Sequence, residues 1–589
     1  MVSLLNTSSN STFMDVINFT LGFAPDASDL VALGNETTPA GANGTGNWSA
    51  CEDCSSDLAP EHFLDQVYLL TFGIMIVFMD LGFGLVEAGS VRSKNTTHIL
   101  IKNILDSFTA GIAYWLIGYA LAFGKGNEFI GWHNWAMHDL HDSKVAFFFY
   151  QAMFASTATT IVAGAVSERC EFKAYLIYSF FLTAFIYPVV THWGWTTQGW
   201  LYQGYDFEIG GLMETIRYED YGGTGLVHLV GGTSAFVATF FLGPRIGRFH
   251  KETGTAVTIR GHSIALATLG IFVLLFGFMA FNAASQLHIT QPGDASIISM
   301  AVFNTLISAS VGGFVALVTH RCGLFGNTWN ILAVINGAFV GLVSVCGACN
   351  VLRPWGAAIN GAVASFIMKG LEIAMVRMEI DDPLNAVGIH FGGGVWGTIA
   401  VAVLKYESGV LMAWDKRSAA QLAWQLVAIS SIIVWSAGLG FILFGTLKLV
   451  GIFRVSEEVE RKGLDIARHD QPAYPCEAYG HGHVEKLKTI GLDGKLTTIE
   501  QGYTNKGFAF DDGKSARLEA KEAGMHKVPS IQFISEMVEQ PARHLSALDR
   551  LKEMVRTSIR RDRTPSSQPQ AEGGNMVKVH SVGVDISTL

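Results

Sequence analysis

From about residue 64 to 450 the chain carries eleven apolar segments, each on the order of 20 residues, and this feature limits the possible folds more than any other. A hydrocarbon core about 30 Å thick offers no water to backbone N–H and C=O groups. A segment crossing it must satisfy its own hydrogen bonds, and only helices and closed barrels do so. A helix crosses such a core in about 20 residues. The segments fall near 64–89, 99–123, 146–167, 173–193, 222–243, 262–285, 296–320, 327–347, 353–377, 385–405 and 420–449. The prediction is an all-α polytopic membrane protein with eleven transmembrane helices.

The flanking segments set the domains and the orientation. Lys and Arg gather in alternate connections, at Arg92/Lys94, Arg169/Lys173, Arg245/Arg248/Lys251/Arg260, Arg321 and Arg377, which marks that side as cytoplasmic. An odd number of spans then puts the amino terminus outside and the carboxyl terminus inside. Residues 1–63 agree, because six Asn-x-Ser/Thr sequons at Asn6, Asn10, Asn18, Asn35, Asn43 and Asn47 read as an extracellular glycosylated segment. No basic stretch followed by an apolar one opens the chain, so the first span is expected to act as an uncleaved signal, with the plasma membrane as destination. Cys51 and Cys54 read equally as a local disulfide or as two thiols. Residues 451–589 are charged and poor in aromatics, which reads as a cytoplasmic regulatory tail, largely disordered, with cytoplasmic regulators as its expected partners. His469, His481 and His483 with Cys476 match no standard metal spacing and read as solvated. A net charge of -10 leaves no electrostatic footprint for nucleic acid.

Within the spans one pattern occurs twice. Glu219-Asp220 stand nine and eight residues before His228, and Gly231-Gly232 three and four after it. Asp381-Asp382 and Gly393-Gly394 hold the same offsets around His390. His228 lies on the fifth span and His390 on the tenth. Five is odd, so the halves are expected to be inverted, a 5+5 repeat plus a final helix, bringing both histidines to the middle of the bilayer. Intramembrane ionisable groups are functional candidates by default. Two neutral imidazoles can share one ring proton and turn their other nitrogens to a narrow lumen, which suits a small neutral molecule that donates and accepts hydrogen bonds. A bare cation would face a Born cost of tens of kcal/mol there, so it must keep its water or lose a proton. A metal is the rival use, but no cysteine or carboxylate falls at ligand spacing on these helices, so no metal and no cofactor is expected. An enzyme is not expected either: no nucleophile–base pair or phosphate loop is visible.

Asp381-Asp382-Pro383 leading to His390-Phe391-Gly392-Gly393-Gly394-Val395-Trp396-Gly397, Phe281-Asn282-Ala283-Ala284-Ser285, Val91-Arg92-Ser93-Lys94-Asn95 and Gly164-Ala165-Val166-Ser167-Glu168-Arg169 resemble the ammonium transporter family (Amt/Mep/Rh), closer to its Amt branch of animals and plants. The resemblance runs from about residue 64 to 475 and implies a lipid-embedded homotrimer with one pore per subunit. It implies recruitment of ammonium, with methylammonium as an analogue, by Trp195, Ser285, Tyr150 and Phe154. A gate of Phe154 and Phe281 follows, then deprotonation and conduction of NH3 past His228 and His390. Taken alone, aromatics one turn apart are ordinary packing. Asp220 and Asp382 fit the supporting role of helix caps. Asp80, Glu87 and Asp106 read as structural pairs, with a proton route as the alternative. Ala467 stands where plant members carry a phosphorylatable threonine, so that switch is absent. The alternatives are a Rhesus-type NH3/CO2 gas channel and an ammonium sensor.

Overall fold

The computed structural model describes residues 60–474, together with the backbones of Val484–Ile490 and Leu496–Gly502. The sequons, Cys51, Cys54, Cys476, His481 and His483 lie outside the described residues. Each apolar run forms a helix: α1 (Pro60–Ser90) and α2 (Thr96–Ala113, continued through a π-helical turn at Tyr114–Gly118 to Tyr119–Phe123). Then come α3 (Val145–Ala165) and α4 (Phe172–Phe181, continued through a second π-helical turn at Leu182–Ile186 to Tyr187–Trp195). Next follow α5 (Thr224–Leu242), α6 (Ile264–Ala284), α7 (Asp294–Arg321) and α8 (Ile331–Val345). The bundle ends with α9 (Pro354–Arg377), α10 (Val387–Leu404) and α11 (Lys416–Leu449). Side chains at helix ends fix the starts: Asp415 forms a capping box with Ser418, and Ser263 accepts from Leu266 N–H.

Small residues bring the helices together where the hydrophobic effect cannot. A methyl group at Gly82 of α1 would come within 2.8 Å of Leu274 N on α6, and one at Gly277 within 2.8 Å of Met79 Cα. α1 and α6 therefore touch along their backbones.

Three features differ from the sequence expectation. Ten helices among the described residues are long and apolar enough to cross a membrane, and the eighth expected span is a helix of only 15 residues. It stops short because its end docks polar groups onto the start of α5. Gly222 N donates to Cys346 O (2.9 Å), Tyr221 N to Gly347 O (3.1 Å), and Gly347 N to Thr224 Oγ1 (2.6 Å). The fold is also not purely helical. Between α4 and α5, β1 (Tyr205–Ile209) pairs antiparallel with β2 (Leu212–Ile216), turning at Gly210-Gly211, both at positive φ. The alternation Tyr205-Asp206-Phe207-Glu208-Ile209 was the missed signal. Within the tail, β3 (Val484–Ile490) and β4 (Leu496–Gly502) form another antiparallel pair, with Asp493-Gly494 between them in sequence.

The start of the tail folds onto the bundle through two short helices, α12 (Glu457–Lys462) and α13 (Leu464–His469). Leu464 N donates to Asn95 Oδ1 (3.0 Å) and His98 N to Asp465 Oδ1 (2.9 Å) at the start of α2. Arg454 donates to the carbonyls of Leu242 (2.9 Å) and Pro244 (2.7 Å), satisfying the end of α5.

Candidate functional site

α5 and α10 both open with a π-helical turn, Thr224–Leu229 and Val387–Gly392, and each turn carries its histidine. π-helical turns concentrate at functional sites because the extra residue re-aims a side chain. Here they bring His228 and His390, 162 residues apart, to an Nδ1–Nδ1 separation of 3.3 Å with both rings buried. Between two such nitrogens one must donate and the other accept, so the pair holds one proton between its facing atoms.

The duplicated offsets acquire a reciprocal geometry. A methyl at Gly232 would strike Phe391 N, next to His390, and one at Gly394 would come within 3.0 Å of Leu229 Cα, next to His228. Each glycine thus admits the backbone that carries the other helix's histidine. Asp220 accepts from the N–H groups of Thr224 (2.8 Å), Gly225 (2.9 Å) and Leu226 (2.9 Å), and Asp382 from those of Ala386 (3.0 Å) and Val387 (2.7 Å). Both sit as caps on the turns that hold the histidines. Burial lifts the Asp220 carboxyl to about 6 against the lowering pull of those N–H groups.

The outer acids of the motif clasp the opposite helix. Glu219, before α5, pairs with Lys405 just past α10 (2.7 Å), and Asp381, before α10, pairs with Arg245 just past α5 (2.7 Å). Burial pushes the Asp381 carboxyl up, but the charges of Arg169 and Arg245 outweigh it and hold the group well below the usual carboxylate range. Glu168 joins the same cluster through Arg92 (2.5 Å) and Arg245 (3.3 Å).

Above the histidines stands an aromatic layer. Phe154 and Phe281 stack with ring centroids 3.8 Å apart at 17°, and Tyr150 packs on Phe154 at 4.7 Å. Trp195 meets Phe154 edge-on at 5.6 Å, and its indole N–H donates to Asp220 O (2.7 Å). Gly223, at φ +83, lets this indole approach: a methyl there would lie 2.9 Å from the Trp195 ring. Ser285 Oγ donates to Phe281 O (2.9 Å) and lies 3.2 Å from Tyr150 Oη. Tyr150, Phe154 and Phe281 are buried, and with the half-buried Trp195 and Ser285 they form one cluster around a stacked ring pair.

Four residues around the histidines escaped the sequence reading. Phe278 of α6 stacks on His228 (5.5 Å, 17°) and Phe83 of α1 on His390 (5.9 Å, 27°), while Phe339 of α8 meets His390 edge-on at 5.1 Å. Cys346 Sγ lies 3.8 Å from His228 Nε2. The one available signal was Phe278, a turn before Phe281 on the same face.

The sequence pattern that defines the Ammonium Transporter Family matches residues 67–474. A Caenorhabditis elegans relative with an ammonium-transporter name is 41% identical over 458 residues, spanning 74% of this chain and 84% of its own length. The tomato (Solanum lycopersicum) ammonium transporter 1 member 3 is 35% identical, over 72% of this chain and 95% of its own. Among solved structures, a sensor Amt protein superposes with a TM-score of 0.63 at 30% identity, over 69% of this chain and 99% of that one. Candida albicans Mep2 superposes with a TM-score of 0.58 at 21% identity, over 67% and 87%, a likeness of fold. This multi-pass membrane protein belongs to the ammonium transporter family.

Proposed function

We propose that the chain transports ammonium across the plasma membrane, taking NH4+ at an outer site, removing a proton and conducting NH3 along His228 and His390. The observation that carries this reading is the histidine pair, Nδ1 to Nδ1 at 3.3 Å, lying beneath stacked Phe154 and Phe281. The faces of Trp195, Tyr150 and Phe154 with the Ser285 hydroxyl form the recruitment site, since an indole face attracts a cation by about 0.5–2 kcal/mol. Rings in van der Waals contact leave no room for a hydrated ion, so Phe154 and Phe281 act as the gate. Beyond it the passage offers rings of Phe278, Phe83 and Phe339 and two imidazole edges, a lining that favours the neutral molecule.

The same reading has eleven crossings, α8 completing the eighth through its buried turn, in two inverted halves of five and a final helix. The reciprocal glycines, caps and clasps support it, as does the stacking of Phe83 of α1 on His390 and of Phe278 of α6 on His228. The amino terminus lies outside, the tail inside, and three subunits each carry a pore. His390→Ala is expected to abolish or alter ammonium uptake in a transport-deficient cell at unchanged surface amount; unchanged flux and selectivity reject the histidine role. A Rhesus-type gas channel carries no substrate-dependent current under voltage clamp, whereas recruitment of the cation at Trp195 and Ser285 predicts one. The likeness to a sensor Amt protein favours a second, sensing role for the tail. A tail-deleted chain that transports fully but loses a downstream response identifies it.

A further inference from the structure

A cavity of about 630 Å³ opens on the flank of the bundle and shares no lining residue with the histidine passage. α11, the outgoing end of α4 with the turn after it, and the connection between α2 and α3 supply its walls, and most of that wall is aromatic: Phe129, Trp193, Trp200 and Trp435. Trp193 stands at the centre of the group, its ring centroid 5.2 Å from Phe129, 5.4 Å from Trp435 and 5.8 Å from Trp200. Phe129 in turn meets Trp435 edge-on at 5.5 Å. Glu128 brings a carboxylate to the same wall. That side chain is exposed and has neither an ion pair nor a hydrogen bond among the described residues.

Hydrogen bonds hold the wall in place before any ligand arrives. Trp200 N–H donates to Glu128 O (3.0 Å), Trp193 Nε1–H to Phe129 O (2.9 Å), and Asn127 Oδ1 accepts from Phe129 N–H (2.8 Å), so the Glu128-Phe129 segment is pinned onto α4. Trp435 Nε1–H is taken up by Ile186 O (3.0 Å). The two α11 serines in the wall, Ser430 and Ser431, give their hydroxyl protons to carbonyls of their own helix (both 2.8 Å). What the cavity offers a guest is therefore ring surface and one carboxylate. Its mouth faces lipid: Val434 at the rim is 72% exposed on a helix of spanning length, and an exposed apolar stripe continues from it through Phe441 and Ile442, seven and eight residues on.

We propose that this cavity seats the trimethylammonium headgroup of a choline phospholipid, whose acyl chains lie along the Val434–Phe441–Ile442 side of α11. Ring faces carry negative quadrupole charge and Glu128 a full negative charge, so the occupant is a cation. A primary ammonium has three N–H donors to satisfy, and the wall supplies a single carboxylate. A methylated cation has none, and aromatic surface is the surface that suits it. The apolar stripe selects a guest with chains over a small soluble cation. Glu128 belongs to a connection on the side opposite the Lys- and Arg-rich ones, so in the proposed orientation the lipid comes from the outer leaflet.

The test incubates the purified full chain in detergent with phosphatidylcholine, phosphatidylethanolamine and phosphatidylglycerol of identical chains, together with cholesterol, and counts the retained molecules by native mass spectrometry. The wild type is expected to keep the choline lipid in preference to the ethanolamine lipid. Trp435→Leu should lower that preference roughly three- to thirtyfold, the scale of one cation–π contact, and Glu128→Gln roughly two- to fivefold. Equal retention of choline and ethanolamine lipids by the wild type overturns the proposal, as does a wild-type preference in both variants. Cholesterol kept in place of the choline lipid and lost in Trp435→Leu makes the cavity a sterol site instead. Glycerophosphocholine, which has the headgroup without chains, should be retained far less; equal retention overturns the lipid assignment. Should Trp435→Leu fail to fold, Glu128→Gln decides, because its side chain is exposed and unpaired. Lipid retention is read without flux, so the outcome is independent of ammonium transport.

Discussion

Two imidazoles meet in this protein because two glycines leave space for them. At Gly232 a single added methyl would collide with the backbone N of Phe391, and that backbone is part of the π-helical turn that carries His390. Overpacking of this kind costs about 1–3 kcal/mol and is relieved by separating the helices. Gly232→Ala is therefore expected to lower ammonium uptake by more than it lowers surface protein, with the His228–His390 contact lengthened; equal losses would show that the close approach serves stability alone. The histidines were visible in the sequence because ionisable residues stand out in an apolar run and because the same offsets recur around both. The phenylalanines that face them were not. A chain with 39 phenylalanines offers no means of telling a ring that lines a passage from one that faces lipid until the helices are placed. Cys346 was hidden differently, since it reaches His228 from a turn 118 residues away.

At the scale of elements, helix positions were legible to within a few residues because lipid leaves the backbone no other way to pair. What eluded the hydropathy pattern were elements shaped by neighbours: α8, ended early by its contacts to Gly222 and Thr224, and the β1–β2 hairpin, whose strands are too short to register against the apolar runs around them. The junction between α5 and α10 likewise rests on an ion cluster that sequence alone could not assemble. Asp381 accepts from Arg245 (2.7 Å) and Arg248 (3.2 Å), and its folded-state value lies below the ordinary carboxylate value of about 3.9. A depressed carboxylate stabilises the fold above its unfolded value and loses that contribution as pH falls through the folded one. Thermal stability in detergent is accordingly expected to decline from about pH 4 downward. Asp381→Asn should be less stable at pH 7, on the scale of about 3–5 kcal/mol for breaking a buried pair, and should lose less on acidification than the wild type. Parallel pH profiles for both proteins would show that another group controls acid sensitivity.

For the whole molecule, the clasps matter more than their individual energies. Glu219 with Lys405 ties one end of the α5–α10 pair, Asp381 with Arg245 ties the other, and the two backbones touch at Gly232 and Gly394 between them. The tail adds a further restraint at the same end, through Arg454 on the carbonyls of Leu242 and Pro244 and through Glu460 accepting from Ile246 N (2.7 Å). Ties at both ends of the α5–α10 pair and between them oppose rocking of the two helices against one another, the motion that alternating-access carriers use. On the proposed reading, only the Phe154 and Phe281 rings need to move aside for each passage, a local motion rather than a helix displacement. Uptake is thus expected to rise by roughly twofold or less per 10 °C, the signature of a standing aperture, whereas a steep Arrhenius slope would mean that the clasps open in every cycle.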